Sequence, residues 1–389
     1  MAVDFSEPEH IGMLRDTVRR FLARETTPEM IARWDKEDFI PIEMHRKIGE
    51  LGVCGLMVDE KYGGMGRDVV AMVAVIEELA KASMTYSGMY ISTVCYGGMN
   101  ISASGTEEQK ERFLPGIAEG KLLFAYGLSE PDVGADLPSV KTRAERRGNE
   151  VVINGSKRWC SSADQADYIF VLLKSDAQAP RYKNLSFVLV PPTAQGVSIT
   201  RVSTMGSRGN ATCDVTFDNV VVPFDNVLGG EDGWNNGWSQ LAGPALEAEK
   251  LEVPALALGV AEAAMAEAWQ YAQERRQFGQ RISGFQSIRH MLADCKTKVQ
   301  ACRLMLYWAA WLVEIGAPAS AETSMAKLFV TDTCRDVVLK CQQVLGAYGY
   351  AEGFGMERYV RDILVTPIFG GSPAIQLNNI ANRLNLAKQ

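Results

Sequence analysis

Tyr126, Ser129 and Asp136 stand in YGLSEPDVGADLPSVKT, residues 126–142, which mixes hydroxyls, acids and glycines. A plain domain linker needs less polar equipment, so a binding role competes with the linker reading. KRWCSS, residues 157–162, sets an indole, Trp159, before the hydroxyls Ser161 and Ser162. A core Trp is the simpler reading, but a flat ring beside hydroxyl donors also suits a planar heterocycle. ERRQFG, residues 274–279, closes a helical pattern with Arg275, Arg276 and Phe278. Its cations serve either as partners of the helix dipole or as a fork for pyrophosphate oxygens. QQVLGAYGY, residues 342–350, brings Gly346 and Gly349 after an apolar run. They form a C-cap and turn or permit close backbone approach to a phosphate or sugar. No glycine-rich dinucleotide fingerprint follows a strand signal, so any dinucleotide is held in another way.

These groups need elements to position them. IGMLRDTVRRFLARE puts Ile11, Leu14, Val18, Phe21 and Leu22 on one helical stripe. Helical patterns continue to about residue 122, with Thr106 and the acids after it opening a further helix. Between about 123 and 235, Gly, Pro, Asn and Asp punctuate β-branched runs: EVVINGSKRW, DYIFVLLK, NLSFVLVPP, VSITRV and CDVTFDNVVVP. Asn154-Gly155 carries a tight-turn signal between two such runs. From about 236 three long helical patterns follow, rich in Ala and Leu. This order is α+β by segregation, with domains expected at 1–122, 123–235 and 236–389.

Composition narrows the class. At 47% hydrophobic the chain can bury a large core, and a net charge of −7 argues against non-specific nucleic-acid binding. Neither a secretory nor an Arg-rich leader is legible in MAVDFSEPEH, and no window suits a membrane span, so a cytoplasmic protein is expected. The eight cysteines form no C-x-x-C pair and read as small buried hydrophobes of a reduced compartment. Only three histidines occur, and no zinc spacing appears.

Taken together, the motifs resemble the acyl-CoA dehydrogenase family over essentially the whole chain. The match rests on Y-x-x-[ST]-E-P-x-x-G-x-D at Tyr126–Asp136, W-x-[ST] at Trp159–Ser161 and E-R-x-x-F-G at Glu274–Gly279. Q-x-L-G-x-x-G at Gln343–Gly349 and R-D at Arg361–Asp362 continue it. The resemblance implies an N-terminal helical domain, a central β-barrel, a C-terminal four-helix bundle, bound FAD and a homotetramer. It assigns Tyr126, Leu128, Ser129, Trp159 and Ser161 to the flavin ring, with the Ser161 hydroxyl near N5. Arg275, Phe278 and Gln286 are assigned to the ADP part of a neighbouring subunit's cofactor. Gln343, Gly346 and Gly349 match its pyrophosphate and ribityl contacts, and Ser372 stands where a cofactor-touching Thr is usual.

In most of the family a Glu serves as base where this chain has Gly370, followed by Gly371. The residue at 370 also supplies a backbone N–H to the thioester oxygen, which glycine retains. In a minority, isovaleryl-CoA dehydrogenase and crotonobetainyl-CoA reductase among them, the Glu lies on the first long C-terminal helix. Counting back from E-R-x-x-F-G lands that position on Glu249, followed by Lys250. Glu247, Glu249 and Glu252 also read as solvated charges near a helix start. Glu247 and Glu249 lie about 200° apart on a helix and cannot face one site together. Pro254 is expected to kink the next turn. Ala135 replaces a Ser that often meets substrate, and Glu247, Lys250 and Gly371 are counted with the substrate site. The implied activity is desaturation of a short, branched or polar acyl-CoA, with electrons passing to an electron-transfer flavoprotein. The alternatives are an enoyl-CoA reductase, a desulfinase-like elimination, an acyl-ACP thioester as substrate, and a flavin-binding partner subunit without its own chemistry.

Overall fold

The computed structural model describes residues 6–242 and 244–387, except for the side chains of Pro244, Ala245 and Glu249. Helices come first: α1 (Glu9–Glu25), α2 (Pro28–Glu37), α3 (Ile42–Gly49), α4 (Val69–Ala82), α5 (Met84–Ile91), α6 (Asn100–Ser104) and α7 (Glu107–Ala118). α1 buries Ile11, Val18, Phe21 and Leu22 of the predicted stripe. At the start of α7 the Thr106 hydroxyl accepts from the Gln109 N–H, while the Gln109 side chain accepts from the Thr106 N–H. Between α5 and α6 the chain widens into a π-helical run, Ser92–Met99, which no sequence pattern signalled. Such runs gather at functional sites.

The sheet comprises β1 (Phe124–Gly127), β2 (Arg143–Arg147), β3 (Glu150–Ser161), β4 (Tyr168–Lys174), β5 (Leu185–Val190), β6 (Val197–Arg201) and β7 (Thr212–Pro223). Its order is β1-β4-β2-β3-β7-β6, with β5 added on β4. The turn expected at Asn154-Gly155 is absent, because β3 runs through it with a register shift against β7. Gly155 has φ 143°, and a Cβ there would lie 2.6 Å from the Thr142 Cα. Glycine serves close backbone approach at a bulge here, not a turn. The hairpin falls earlier, at Gly148 (φ 64°) between β2 and β3.

The second helical layer holds α8 (Gly230–Gly233), α9 (Gly237–Leu241), α10 (Pro244–Glu274), α11 (Gln286–Glu314), α12 (Ser320–Leu345), α13 (Gly355–Ile363) and α14 (Pro373–Arg383). A two-stranded hairpin, β8 (Arg276–Gln277) and β9 (Gln280–Arg281), joins α10 to α11. α10 continues through Pro254 as one helix. Its packing against α4, α11 and α12 outweighs the backbone hydrogen bond that proline removes. Among the described residues no helix is long and apolar enough to cross a membrane.

Two ionic clamps tie these layers together. Arg15 of α1 donates to Glu77 and Glu78 of α4 at 3.0 and 2.7 Å, and Arg303 of α11 also donates to Glu77. Lys81 lies 2.8 Å from Glu262 of α10, completing a buried network across four helices. The second clamp is the R-D pair. Arg361 grips Asp35 of α2 and Glu357 of its own helix, and donates to the Met205 carbonyl at 3.0 Å. Asp362, buried beside it, accepts from the Ser207 N–H at 2.6 Å.

Burial pushes the Asp362 carboxyl up to about 6. A carboxyl raised in the folded state adds stability below its unfolded value of about 3.9 that is lost as pH rises through the folded value. Between pH 5 and 7 the wild type should therefore lose roughly 1–1.5 kcal/mol relative to Asp362→Asn, read from urea unfolding at both pH values. Parallel curves for the two proteins would sink this assignment.

Candidate active site

The segments 126–136 and 157–162 meet in the fold. The Arg158 N–H donates to the Ser129 carbonyl at 2.9 Å, and the Lys157 ammonium donates to the Leu128 carbonyl at 3.0 Å and to Glu130 at 2.9 Å. Lys157 is fully buried and Glu130 nearly so. Burial pulls the Lys157 ammonium down to about 8 against the pull of Glu130. The pair fixes Leu128 and Ser129, both half-buried, against the end of β3.

The register of β3 on β7 shifts between Lys157 and Cys160, and Trp159 sits in that bulge with φ 66°. A bulky residue in the left-handed region is uncommon and marks a functional constraint. Its indole is 54% exposed, so the backbone spends strain to hold a large apolar ring outward. Ser161 lies half-buried beside it. This arrangement offers a planar ligand a stacking face, flanking hydroxyls and backbone groups. Tyr126 stands behind, with its ring 4.6 Å from Tyr96 of the π-helical run and its hydroxyl 3.4 Å from the Asn100 amide nitrogen. Ala135 lies exposed in the loop that follows.

A second grouping forms at the far ends of the long helices. The Arg275 guanidinium lies over the ring of Tyr348 at 5.4 Å and makes no ion pair among the described residues. E-R-x-x-F-G and Q-x-L-G-x-x-G are thus neighbours. Phe278 projects from the β8–β9 hairpin with 91% exposure, and Gln286, Gln343 and Gly346 are exposed, whereas Gly349 is buried. An unpaired guanidinium beside exposed amides and backbone donors is the donor set that pyrophosphate requires. The residues present therefore fit an extended flavin nucleotide: a ring site at Trp159 and a phosphate site at Arg275.

The terminal glycines make the third grouping. Gly370 has φ 64°, and a Cβ on it would stand 2.8 Å from Val253 Cγ2 on α10. Gly371 has φ 88°, and its Cβ would meet the Gln376 amide nitrogen at 2.5 Å. Gln376, buried on α14, donates to the carbonyls of Gly370 and Gly371 at 3.0 and 3.2 Å. The loop is pinned, its glycine N–H groups have no backbone acceptor among the described residues, and Ser372 stands at the N-cap position of α14 without a side-chain cap hydrogen bond.

Three acids lie near the start of α10. Glu247 accepts from Thr323 of α12 at 2.6 Å and from Lys250 at 3.1 Å, while Lys250 also reaches Ser320 at 3.5 Å. Burial works against the Glu247 charge, but Thr323 and Lys250 hold its carboxyl below the usual range. Glu247 and Lys250 thereby dock α10 onto the first turn of α12. Glu252 is buried. The side chain of Glu249 lies outside the described residues.

Sequence reasoning passed over Tyr96, Val253, Gln376 and the Glu130–Lys157 pair. Glu130 and Lys157 sat inside quoted motifs, and only their mutual burial gives them a role. Val253 and Tyr96 carry no local signal, since an apolar residue in a helix reads as core.

Comparison with known proteins agrees with this geometry. The N-terminal, middle and C-terminal domain models of acyl-CoA dehydrogenase match residues 8–121, 125–220 and 235–385. The chain is 32% identical to the short-chain specific acyl-CoA dehydrogenase of Clostridium acetobutylicum, over 98% of this chain and all of that protein. It is 34% identical to the caffeyl-CoA reductase–Etf complex subunit CarC of Acetobacterium woodii, over 97% of this chain and 98% of that one. Butyryl-CoA dehydrogenase of Megasphaera elsdenii superposes with a TM-score of 0.93 at 30% identity, over 98% of this chain and all of the other. Three domain models in order, two full-length relatives and one shared fold converge: the chain belongs to the acyl-CoA dehydrogenase family, oxidoreductases that act on acyl-CoA.

Proposed function

We propose that this protein is an FAD-dependent dehydrogenase of a short, branched or polar acyl-CoA, with Glu249 as the base and the Gly370 N–H as a donor to the thioester oxygen. One observation carries the choice of base. The missing side chain at Gly370 would run into Val253, and Glu249 precedes Val253 by one helical turn on the same face. Glu252 is turned about 100° from Val253 and Glu247 about 120°, and Glu247 is engaged by Thr323 and Lys250. Position 249 is thus the acid on α10 aligned with the place where the usual base would reach.

When bound, FAD supplies the acceptor for the hydride that leaves the β-carbon. Leu128, Ser129, Trp159 and Ser161 would hold its ring, and Arg275, Phe278, Gln286, Gln343, Gly346 and Gly349 its ADP part. Glu249 takes the α-proton, and the fixed Gly370 amide stabilises the oxygen charge that then develops. Tyr96, stacked on Tyr126 at 4.6 Å, fills room beside the ring site and favours a small acyl group. The similarity to a short-chain specific enzyme supports the same choice.

Exposed Phe278, with Leu304, Trp308 and Trp311 along α11 and Ile315 at its C-cap, supports a homotetramer in which the Arg275 end serves a neighbour's cofactor. The exposed Trp159, and the similarity to a subunit of a reductase–Etf complex, support an electron-transfer flavoprotein as redox partner. A cytoplasmic location fits this reading. That same relative favours a second one, in which the site runs in reverse as an enoyl-CoA reductase.

The test is anaerobic titration of the yellow protein with a panel of acyl-CoA and acyl-ACP thioesters. Bleaching by a short acyl-CoA supports the first reading, and reoxidation of the reduced protein by an enoyl-CoA alone supports the second. Bound flavin that no thioester bleaches would leave a partner subunit without its own chemistry. The position of the base has a separate test. Moving the acid, as Glu249→Gln with Gly370→Glu, should not restore bleaching. The new side chain must take φ 64°, which costs about 1–2 kcal/mol, and its Cβ meets Val253. Adding Val253→Ala should restore part of the rate. Full activity of the double variant would refute the steric argument.

A further inference from the structure

We propose that Lys327 is a positioning residue of the active site: its buried ammonium grips the Pro367 carbonyl and so sets the place of the Gly370 N–H. The inference rests on that N–H being the donor to the thioester oxygen. Lys327 lies on α12 and is 1% exposed. Its ammonium donates to the Pro367 carbonyl at 2.9 Å and forms no ion pair among the described residues. Lys157, also fully buried, differs, because Glu130 answers its charge at 2.9 Å. A cation taken out of water without a carboxylate is costly. Burial accordingly pulls the Lys327 ammonium down to about 8 against the pull of Asp332. An apolar side chain would fill the same space without that cost, so packing does not account for a lysine here.

The bond holds a segment that has little stiffness of its own. Pro367 is buried, whereas Gly370 is exposed. The chain leaves α13 through a turn, with the Ile368 and Phe369 N–H groups donating to the Val365 carbonyl at 2.9 and 3.3 Å. Gly370 and Gly371 follow in the left-handed region, which bends the loop without fixing where it sits. The anchors come from outside. Lys327 takes the Pro367 carbonyl from α12, and Gln376 takes the Gly370 and Gly371 carbonyls from α14. Buried side chains thus hold carbonyls at both ends of the segment that bears the Gly370 amide.

The same face of α12 reaches the other side of the site. Thr323 lies one helical turn before Lys327 and is likewise buried. Its hydroxyl donates to Glu247 at 2.6 Å, which seats the start of α10 where Glu249 stands. Thr323 and Lys327 therefore register two groups against one rigid helix: the helix carrying the base and the loop carrying the oxygen donor. Their separation matters, since a misplacement of about 1 Å can cost about 10²-fold in rate. Without Lys327 the far end of the loop loses its anchor, while Gln376 still holds the near end.

The experiment compares the wild-type holoprotein with Lys327→Met. Its probe is acetyl-CoA labelled with ¹³C at the thioester carbonyl, which has no β-carbon and so gives up no hydride. A hydrogen bond lowers the stretching frequency of that carbonyl, so difference infrared spectra at saturation read the oxygen donor directly. The wild type should lower the band relative to free acetyl-CoA, and Lys327→Met should lose most of that shift. The variant should keep its flavin and a Tm no lower than the wild type's, because an apolar side chain suits the buried place. Its reduction by a short acyl-CoA should be about 10–10²-fold slower. Should Lys327→Met not fold, Lys327→Gln, uncharged and one bond shorter, carries the same expectation. An intact band shift in the folded variant would overturn the proposal, whatever its rate, and leave the Gly370 reading in place. A wild type that shifts the band no further than water does would overturn the Gly370 reading and this inference with it.

Discussion

Glu249→Gln should bind FAD as the wild type does and be reduced by an acyl-CoA thioester about 10²–10⁴-fold more slowly, the range a positioned general base contributes. An amide keeps the shape of the carboxylate but has no lone pair basic enough for an α-proton. Because the Gly370 N–H and the ring site at Trp159 are untouched, substrate and cofactor binding should change little, and the loss should fall on the reduction step. Exchange of the α-hydrogen with D₂O separates the roles further. It should vanish in the variant even where hydride transfer is made slow by a poor substrate. Retained exchange and retained bleaching would remove Glu249 from the mechanism, while family membership and the ring site would stand.

Glu77→Ala should cost about 3–5 kcal/mol in folding stability, the usual result of removing one partner from a buried ionic network. Glu77 has no exposed surface. It receives Arg15 at 3.0 Å, Arg303 at 3.2 Å and the Tyr307 hydroxyl at 2.7 Å, with Lys81 at 3.4 Å. Removing it leaves three cations around an apolar void, with Glu78 and Glu262 to answer them. Burial alone would raise the Glu77 carboxyl, but Arg15, Arg303 and Lys81 outweigh it and hold the group far below the usual range. A carboxyl lowered in the folded state adds stability above its unfolded value, about 4.3, and loses it as pH falls below that. The wild type should therefore lose more stability on acidification from pH 6 to 4 than Glu77→Ala does, read by denaturant unfolding at each pH. A deficit under about 1 kcal/mol would mean that the cluster is solvated.

Local chemistry made part of this protein legible. The α1 stripe, the Thr106 cap and the β-branched runs of β3 to β7 follow from periodicity and turn residues, which act over a few positions. Asn154-Gly155 shows the limit. The same dipeptide serves a two-residue turn or a bulge, and only the proximity of Thr142 selects the bulge. β1 and β2 escaped notice because Phe124–Gly127 is short and Arg143–Arg147 is almost wholly charged. The motifs around Trp159 and Arg275 were readable as residue types, but not the strained backbone that exposes the indole.

What the sequence determined by itself is the inventory: three blocks of structure, a set of candidate ring and phosphate ligands, and a terminal loop without its acid. The tertiary structure decided the pairings. It set Gly370 against Val253, closed Glu247 onto Thr323, and buried Lys157 with Glu130. Each of these joins residues far apart in the chain, and their contact depends on helix rotation and sheet register, which are fixed only when the core packs.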